Sequence, residues 1–114
     1  MQIAQVKFML RAKEMWRAVA FWRDVFELQV RFGDDEWTEL VVGDSVIALH
    51  TRLEDTQFRA GLSIEVTDIE AAVAAVRAAG GNVISQPHHP KGQTFLIASV
   101  ADTEGNRFRL TQGA

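Results

Sequence analysis

The 114-residue sequence predicts an α+β domain that uses one unit twice: a strand, a helix, then three short strands. Three observations carry this prediction. In each half the apolar period changes from that of a strand to that of a helix and back. Turn residues part the short apolar runs. The two halves also align without gaps at an offset of 54, with Lys7 on Gly61 and Arg23 on Arg77.

The elements follow in order. "IAQVKFML" is rich in apolar residues and partly alternates, so residues 3–11 read as a strand. Met15, Val19, Trp22 and Phe26 then recur at helical spacing, with Ala18 and Val25 beside them. They predict an amphipathic helix over residues 14–26. Strands are expected at 28–32, 37–42 and 45–51, separated by "GDD" from Gly33 and by Gly43-Asp44. The polar residues 52–60 read as a linker between halves 1–51 and 61–114 of a single domain. "GLSIEV", residues 61–66, alternates as a strand. Asp68 is a good N-cap for a helix that runs to Ala79, buries Ile69, Val73 and Val76, and stops at Gly80-Gly81. "NVISQ", "QTFLIASVAD" and "RFRLTQ" are the last three strands. The offset matches Leu10 to Ile64, Glu14 to Asp68, Val19 to Val73 and Trp22 to Val76, so cap, stripe and strand parity coincide.

Composition narrows the function classes. A net charge of −3 supplies no basic surplus to displace counterions from a nucleic acid. With no cysteine, disulfides, thiolate nucleophiles and cysteine-based zinc sites are excluded. The first residues interleave Lys7, Arg11 and Lys13 with apolar ones and form no signal-peptide core. No apolar run has the length of a bilayer span. These features lead us to expect a cytoplasmic protein with neither nucleic-acid nor membrane partners. "AAGGN" follows a helix, so its glycines fail the context of a dinucleotide cradle.

Three stretches carry a resemblance. "AFWRDVFEL" resembles the helix motif "AFYRDVLGL" of the vicinal oxygen chelate superfamily, which includes glyoxalases, extradiol dioxygenases and bleomycin-resistance proteins. "IEVTDIEAAVAAVRAAGGNV" resembles its second helix, and "ADTEGNRFRLTQ" its closing "DPDGNxxEL" turn and strand. The resemblance covers essentially the whole chain. It implies two βαβββ modules whose strands form a curved, open, mixed sheet around a cleft, with helices on the outer face. Strand parity then turns Val6, Phe8 and Leu10 toward the helices, with Leu62, Ile64, Val66, Phe108 and Leu110. It turns Lys7, Met9 and Arg11 into the cleft. Val46, Ala48 and His50 follow them, as do Gly61, Ser63 and Glu65, and Arg107, Arg109 and Thr111.

Metal-dependent members of the superfamily place ligands on the first and last strand of each module. The resemblance carries those places to Lys7, Ala48, Gly61 and Arg109. Alanine and glycine offer no side-chain donor, and protonated lysine and arginine have no free lone pair. No metal and no other cofactor is therefore expected. Lys7 and Arg109 have two open readings: they hold an anionic ligand in place of the metal's charge, or they pair with Glu65 and brace the sheet. His50 is either a base in the cleft or a rim histidine. Trp37 and Phe95 either wall the cleft and stack on a planar ligand or pack in the core. His88 and His89 lie in "QPHHPKGQ" and read as a loop beside the cleft. Trp22 reads as core.

The functional expectation is a metal-free small-molecule-binding protein of the glyoxalase/bleomycin-resistance type, with a cleft suited to a polar or anionic, partly aromatic ligand. The alternative is a superfamily enzyme. It would be a metal-dependent lyase, isomerase or dioxygenase, or a metal-free isomerase or hydrolase using His50 and Glu65. A homodimer is expected, with Met15 and Trp16 at the contact, because open sheet edges are usually covered.

Overall fold

The computed structural model describes residues 1–52 and 59–114. The repeat is present in full. β1 (Val6–Arg11), α1 (Met15–Phe26), β2 (Gln29–Gly33), β3 (Trp37–Val42) and β4 (Ser45–His50) form the first module. β5 (Arg59–Glu65), α2 (Ile69–Ala78), β6 (Asn82–His88), β7 (Leu96–Ala101) and β8 (Arg107–Gln112) form the second. Most of the expected linker lies outside the described residues, and β5 begins within its last two. β1 starts three residues later than expected. β7 also starts late, so Phe95 precedes it.

The strands divide into two four-stranded mixed sheets of the same order, β1-β4-β3-β2 and β5-β8-β7-β6. In each, the first strand of the module runs parallel to the last, and the other pairs are antiparallel. Neither sheet closes into a barrel. The edge strands β1 and β5 approach each other.

Both helices start where the offset requires but are capped differently. Asp68 accepts a hydrogen bond from Ala71 N at 3.1 Å, as an N-cap does. Glu14 makes no side-chain cap, and its own amide donates to Glu104 Oε1 at 2.8 Å. The first helix is therefore capped by a residue of the second module.

One core serves both modules. Trp22, fully buried on α1, lies 4.9 Å from the Phe108 ring on β8 and 5.3 Å from Phe26, while Phe21 meets it edge-on. The aromatic stripe of α1 thus covers the neighbouring sheet as well as its own. Val6 is a correction to the expected helix-facing set. It is 46% exposed and lies outside the shared core.

The turn between β7 and β8 ties the halves together. Asp102 Oδ1 accepts from the amides of Glu104 and Asn106, both at 2.9 Å, and Oδ2 accepts from Trp22 Nε1 at 3.1 Å. Asn106 binds both the amide and the carbonyl of Arg11, at 3.0 and 2.6 Å. Glu104 accepts from Arg17 Nε at 2.8 Å and from Thr103 at 2.7 Å. Arg11 donates to the Glu104 carbonyl at 3.1 Å. Expected in the cleft, Arg11 is instead buried against this turn.

Candidate functional site

The side of each sheet turned away from the helices carries the polar chemistry, and the two sides differ. On the first sheet, Met9, Ala48 and Glu39 share one rung across β1, β4 and β3. Glu39 is 1% exposed. Its Oε2 accepts from Lys7 Nζ at 2.9 Å and from Trp37 Nε1 at 2.8 Å. Its Oε1 makes no hydrogen bond, and Arg31 Nη1 stands 3.7 Å away. A bulge between Val30 and Phe32 lets Arg31 reach over this face, with its guanidinium 5.7 Å from the Phe32 ring. The His50 ring meets Trp37 edge-on at 5.0 Å. Burial alone would push the Glu39 carboxyl up. The hydrogen bonds from Lys7 and Trp37 and the charges of Lys7 and Arg31 outweigh it, and the net direction is down. Glu39 is thus an ionised group held in a packed cluster.

On the second sheet the equivalent rung joins Ser63, Arg109 and Ser99 across β5, β8 and β7. Here the sheet is open. A concavity of about 520 Å³ is lined by Gly61, Ser63, Ser99, Arg107 and Arg109, together with the apolar Ile84 and Ile97. Arg107 and Arg109 are exposed, and among the described residues neither has an ion-pair partner. Gly61 adopts φ +66 beside a register shift in β5, a conformation in which a side chain would be strained.

The residues singled out from sequence therefore separate. Ser63, Arg107 and Arg109 line the concavity. Glu65 is on the same face of β5, at the rung of Thr111, and makes no ion pair with Arg109. Lys7, Met9, Trp37 and His50 belong to the first sheet. Lys7 pairs with Glu39, which corrects the expected pairing with Glu65. Val46 and Ala48 lie on that face but are buried, so they do not line an open cleft. Phe95 sits in the loop before β7, where its carbonyl meets His89 Nδ1 at 3.1 Å, and it does not line the concavity. Met15 is buried in the core, so it cannot serve as a subunit contact, whereas Trp16 is 71% exposed.

Glu39, Ser99 and Arg31 were missed. Alternation along "WTELVV" places Glu39 opposite the buried Thr38 and Leu40, a signal present in the sequence. Arg31 reaches Glu39 only through the bulge, which no pattern announces.

The donor set does not suit the metal that the superfamily resemblance implies. Lys7 Nζ is engaged by Glu39, Ala48 and Gly61 bring no donor, and Arg109 is a cation. Both Glu39 oxygens face cations. Among the described residues no three metal-ligating side chains come together.

Comparison with known proteins agrees with this architecture. The model of a glyoxalase-like domain matches residues 7–111. A probable lactoylglutathione lyase of Vibrio parahaemolyticus is 31% identical over 119 aligned positions, which cover 91% of this chain and 86% of that protein. A glyoxalase/bleomycin resistance protein/dioxygenase family enzyme from Burkholderia phytofirmans superposes with a TM-score of 0.82 at 21% identity, covering 95% of this chain and 97% of the other. An antibiotic binding protein from a Streptomyces species superposes with a TM-score of 0.79 at 19% identity, covering 100% and 99%. These two likenesses speak to fold alone. The doubled βαβββ unit and the match over nearly the whole chain place this protein in the glyoxalase-like family.

Proposed function

We propose that this chain is a metal-free small-molecule-binding protein whose ligand seat is the concavity of the second module. The observation that carries this reading is the exposed pair Arg107 and Arg109, which faces that space without a carboxylate partner among the described residues. Guanidinium forks in a partly desolvated recess favour carboxylates and phosphates. The preferred ligand is polar or anionic, and the isoleucine wall favours a partly aromatic or aliphatic body. The protein acts in the cytoplasm as a homodimer, with Trp16 at or near the contact. Among the described residues no helix is long and apolar enough to cross a membrane.

A second reading is a lyase-type enzyme, favoured by the name of the Vibrio relative. The chemistry at Lys7, Ala48, Gly61 and Arg109 weighs against its metal-dependent form. For a metal-free catalyst, His50 and Glu65 stand on different sheets, and the His50 ring is engaged with Trp37.

One experiment separates the two readings. The purified protein is dialysed against trace nickel, cobalt, manganese and zinc, then assayed for bound metal and for turnover of the methylglyoxal–glutathione adduct. The expected result is no stoichiometric metal and no turnover. About one ion per chain together with turnover would establish the enzyme and overturn the binding reading.

A further inference from the structure

We propose that the concavity of the second module takes a dianionic headgroup joined to an apolar body, the chemistry of an aryl or branched alkyl phosphate monoester. This rests on the reading of that concavity as the ligand seat, and adds the charge and shape of what fills it.

The charge follows from β8. Alternation puts Arg107 and Arg109 on one side of the strand, two residues and roughly 7 Å apart. Arg17, Arg31 and Arg52 are each matched by a carboxylate, from Glu104, Glu39 and Glu36. Arg107 and Arg109 are not. Glu65, the acidic residue on their face of β5, makes no ion pair with either. Two neighbouring guanidiniums repel each other, and one carboxylate would leave about one positive charge over. A phosphate monoester brings a charge of about −1.5 to −2 at neutral pH and three acceptor oxygens.

The donor pattern fits the same group. Ser63 and Ser99 flank Arg109 on its rung, and neither hydroxyl bonds another described residue. Two forks and two hydroxyls can serve three oxygens, more than a carboxylate offers. The body follows from the apolar part of the lining. Ile84, which is 47% exposed, and Ile97 both border the concavity. Inorganic phosphate would satisfy the arginines and leave that part wet, whereas an apolar substituent would cover it.

The test is calorimetric titration of the intact protein with phenyl phosphate, benzoate and inorganic phosphate. All three are run at one ionic strength and at a pH above the second phosphate ionisation. Wild type is compared with Arg107→Gln, Arg109→Gln and Ile84→Ser. Phenyl phosphate is expected to bind wild type about tenfold or more tightly than either other probe. Each arginine variant should remove its advantage over benzoate. Ile84→Ser should weaken phenyl phosphate and leave inorganic phosphate unchanged. Equal binding of phenyl phosphate and benzoate, weakened alike by the arginine variants, would overturn the dianion and leave the ligand seat standing. Binding that no arginine variant changes would overturn the seat itself. Failure of all three probes to bind at millimolar concentration would overturn the dianion proposal.

Discussion

The rung Met9–Ala48–Glu39 of the first sheet and the rung Ser63–Arg109–Ser99 of the second occupy the same place in one repeated topology. In the first, the central strand carries alanine and the charge sits on β3. Lys7, Arg31 and the Trp37 indole close over it, and the face fills with its own side chains. In the second, the charge sits on the central strand with a serine on either side. No group large enough to cover Arg109 stands on its rung, and the face stays open. Whether such a sheet builds a plug or a pocket is thus decided by where one charge falls across three strands and by the size of its neighbours.

Substitutions can break this contrast, and the largest effect should come from the plug. Glu39→Ala removes the acceptor of both Lys7 and Trp37 and leaves a hole beneath them. A loss of about 3 kcal/mol or more is expected, the lower end of the scale of two hydrogen bonds to a charged group. Urea unfolding measures it. Phenyl phosphate affinity should stay within about twofold if the halves are as separate as their faces indicate.

Glu104→Gln should cost about 1–3 kcal/mol at neutral pH, since one amide oxygen replaces two carboxylate oxygens that serve Arg17, Thr103 and the Glu14 amide. Its pH dependence sharpens the comparison between halves, because this carboxylate joins them. Burial pushes the Glu104 carboxyl up, but the Arg17, Glu14 and Thr103 hydrogen bonds bring it below the ordinary value of 4.5. Its contribution is therefore full above pH 4.5 and is lost as pH falls through the depressed folded value. Asp102 has the opposite sign. Burial raises its carboxyl above the ordinary 3.8, so its contribution is present below that value and lost as pH rises through the raised one. Urea midpoints followed from neutral to acid pH should show wild type and Glu104→Gln converging on the acid side. A constant gap would refute the assignment.

The smallest effect is expected at the open face. Arg107→Gln and Arg109→Gln should each change unfolding stability by no more than about 0.5 kcal/mol, as exposed groups without partners do. A melting temperature that fell sharply in either variant would show the arginines to be structural, and the contrast between plug and pocket would fail.

The repeat, both helices and all eight strands were legible because each rests on local periodicity and turn chemistry. Trp22 and Asp68 declared their roles through stripe and cap. Strand parity alone put Arg107 and Arg109 on one face. Parity could not reveal which carboxylate Lys7 meets, since that depends on strand order. Glu39 comes from β3, which reaches β1 only through β4. Nor could it show that Arg11 is buried. The Asp102–Asn106 turn binds β1 across as many as 95 positions, and no short-range pattern encodes such a contact.

That turn also bears on how the chain reaches its fold. Within each module the helix and hairpins join near neighbours, but the bonds from Asn106 to Arg11 and from Asp102 to Trp22 span 95 and 80 positions. Closing loops of that length costs entropy before any contact repays it. The modules should take shape first and dock last, with the carboxylates of Asp102 and Glu104 buried only at that final step. Fragments 1–52 and 59–114 made separately should then each lack the shared aromatic core. When mixed they should regain it, and the Trp22 indole proton, moved by its bond to Asp102, would report the moment at which two halves become one protein.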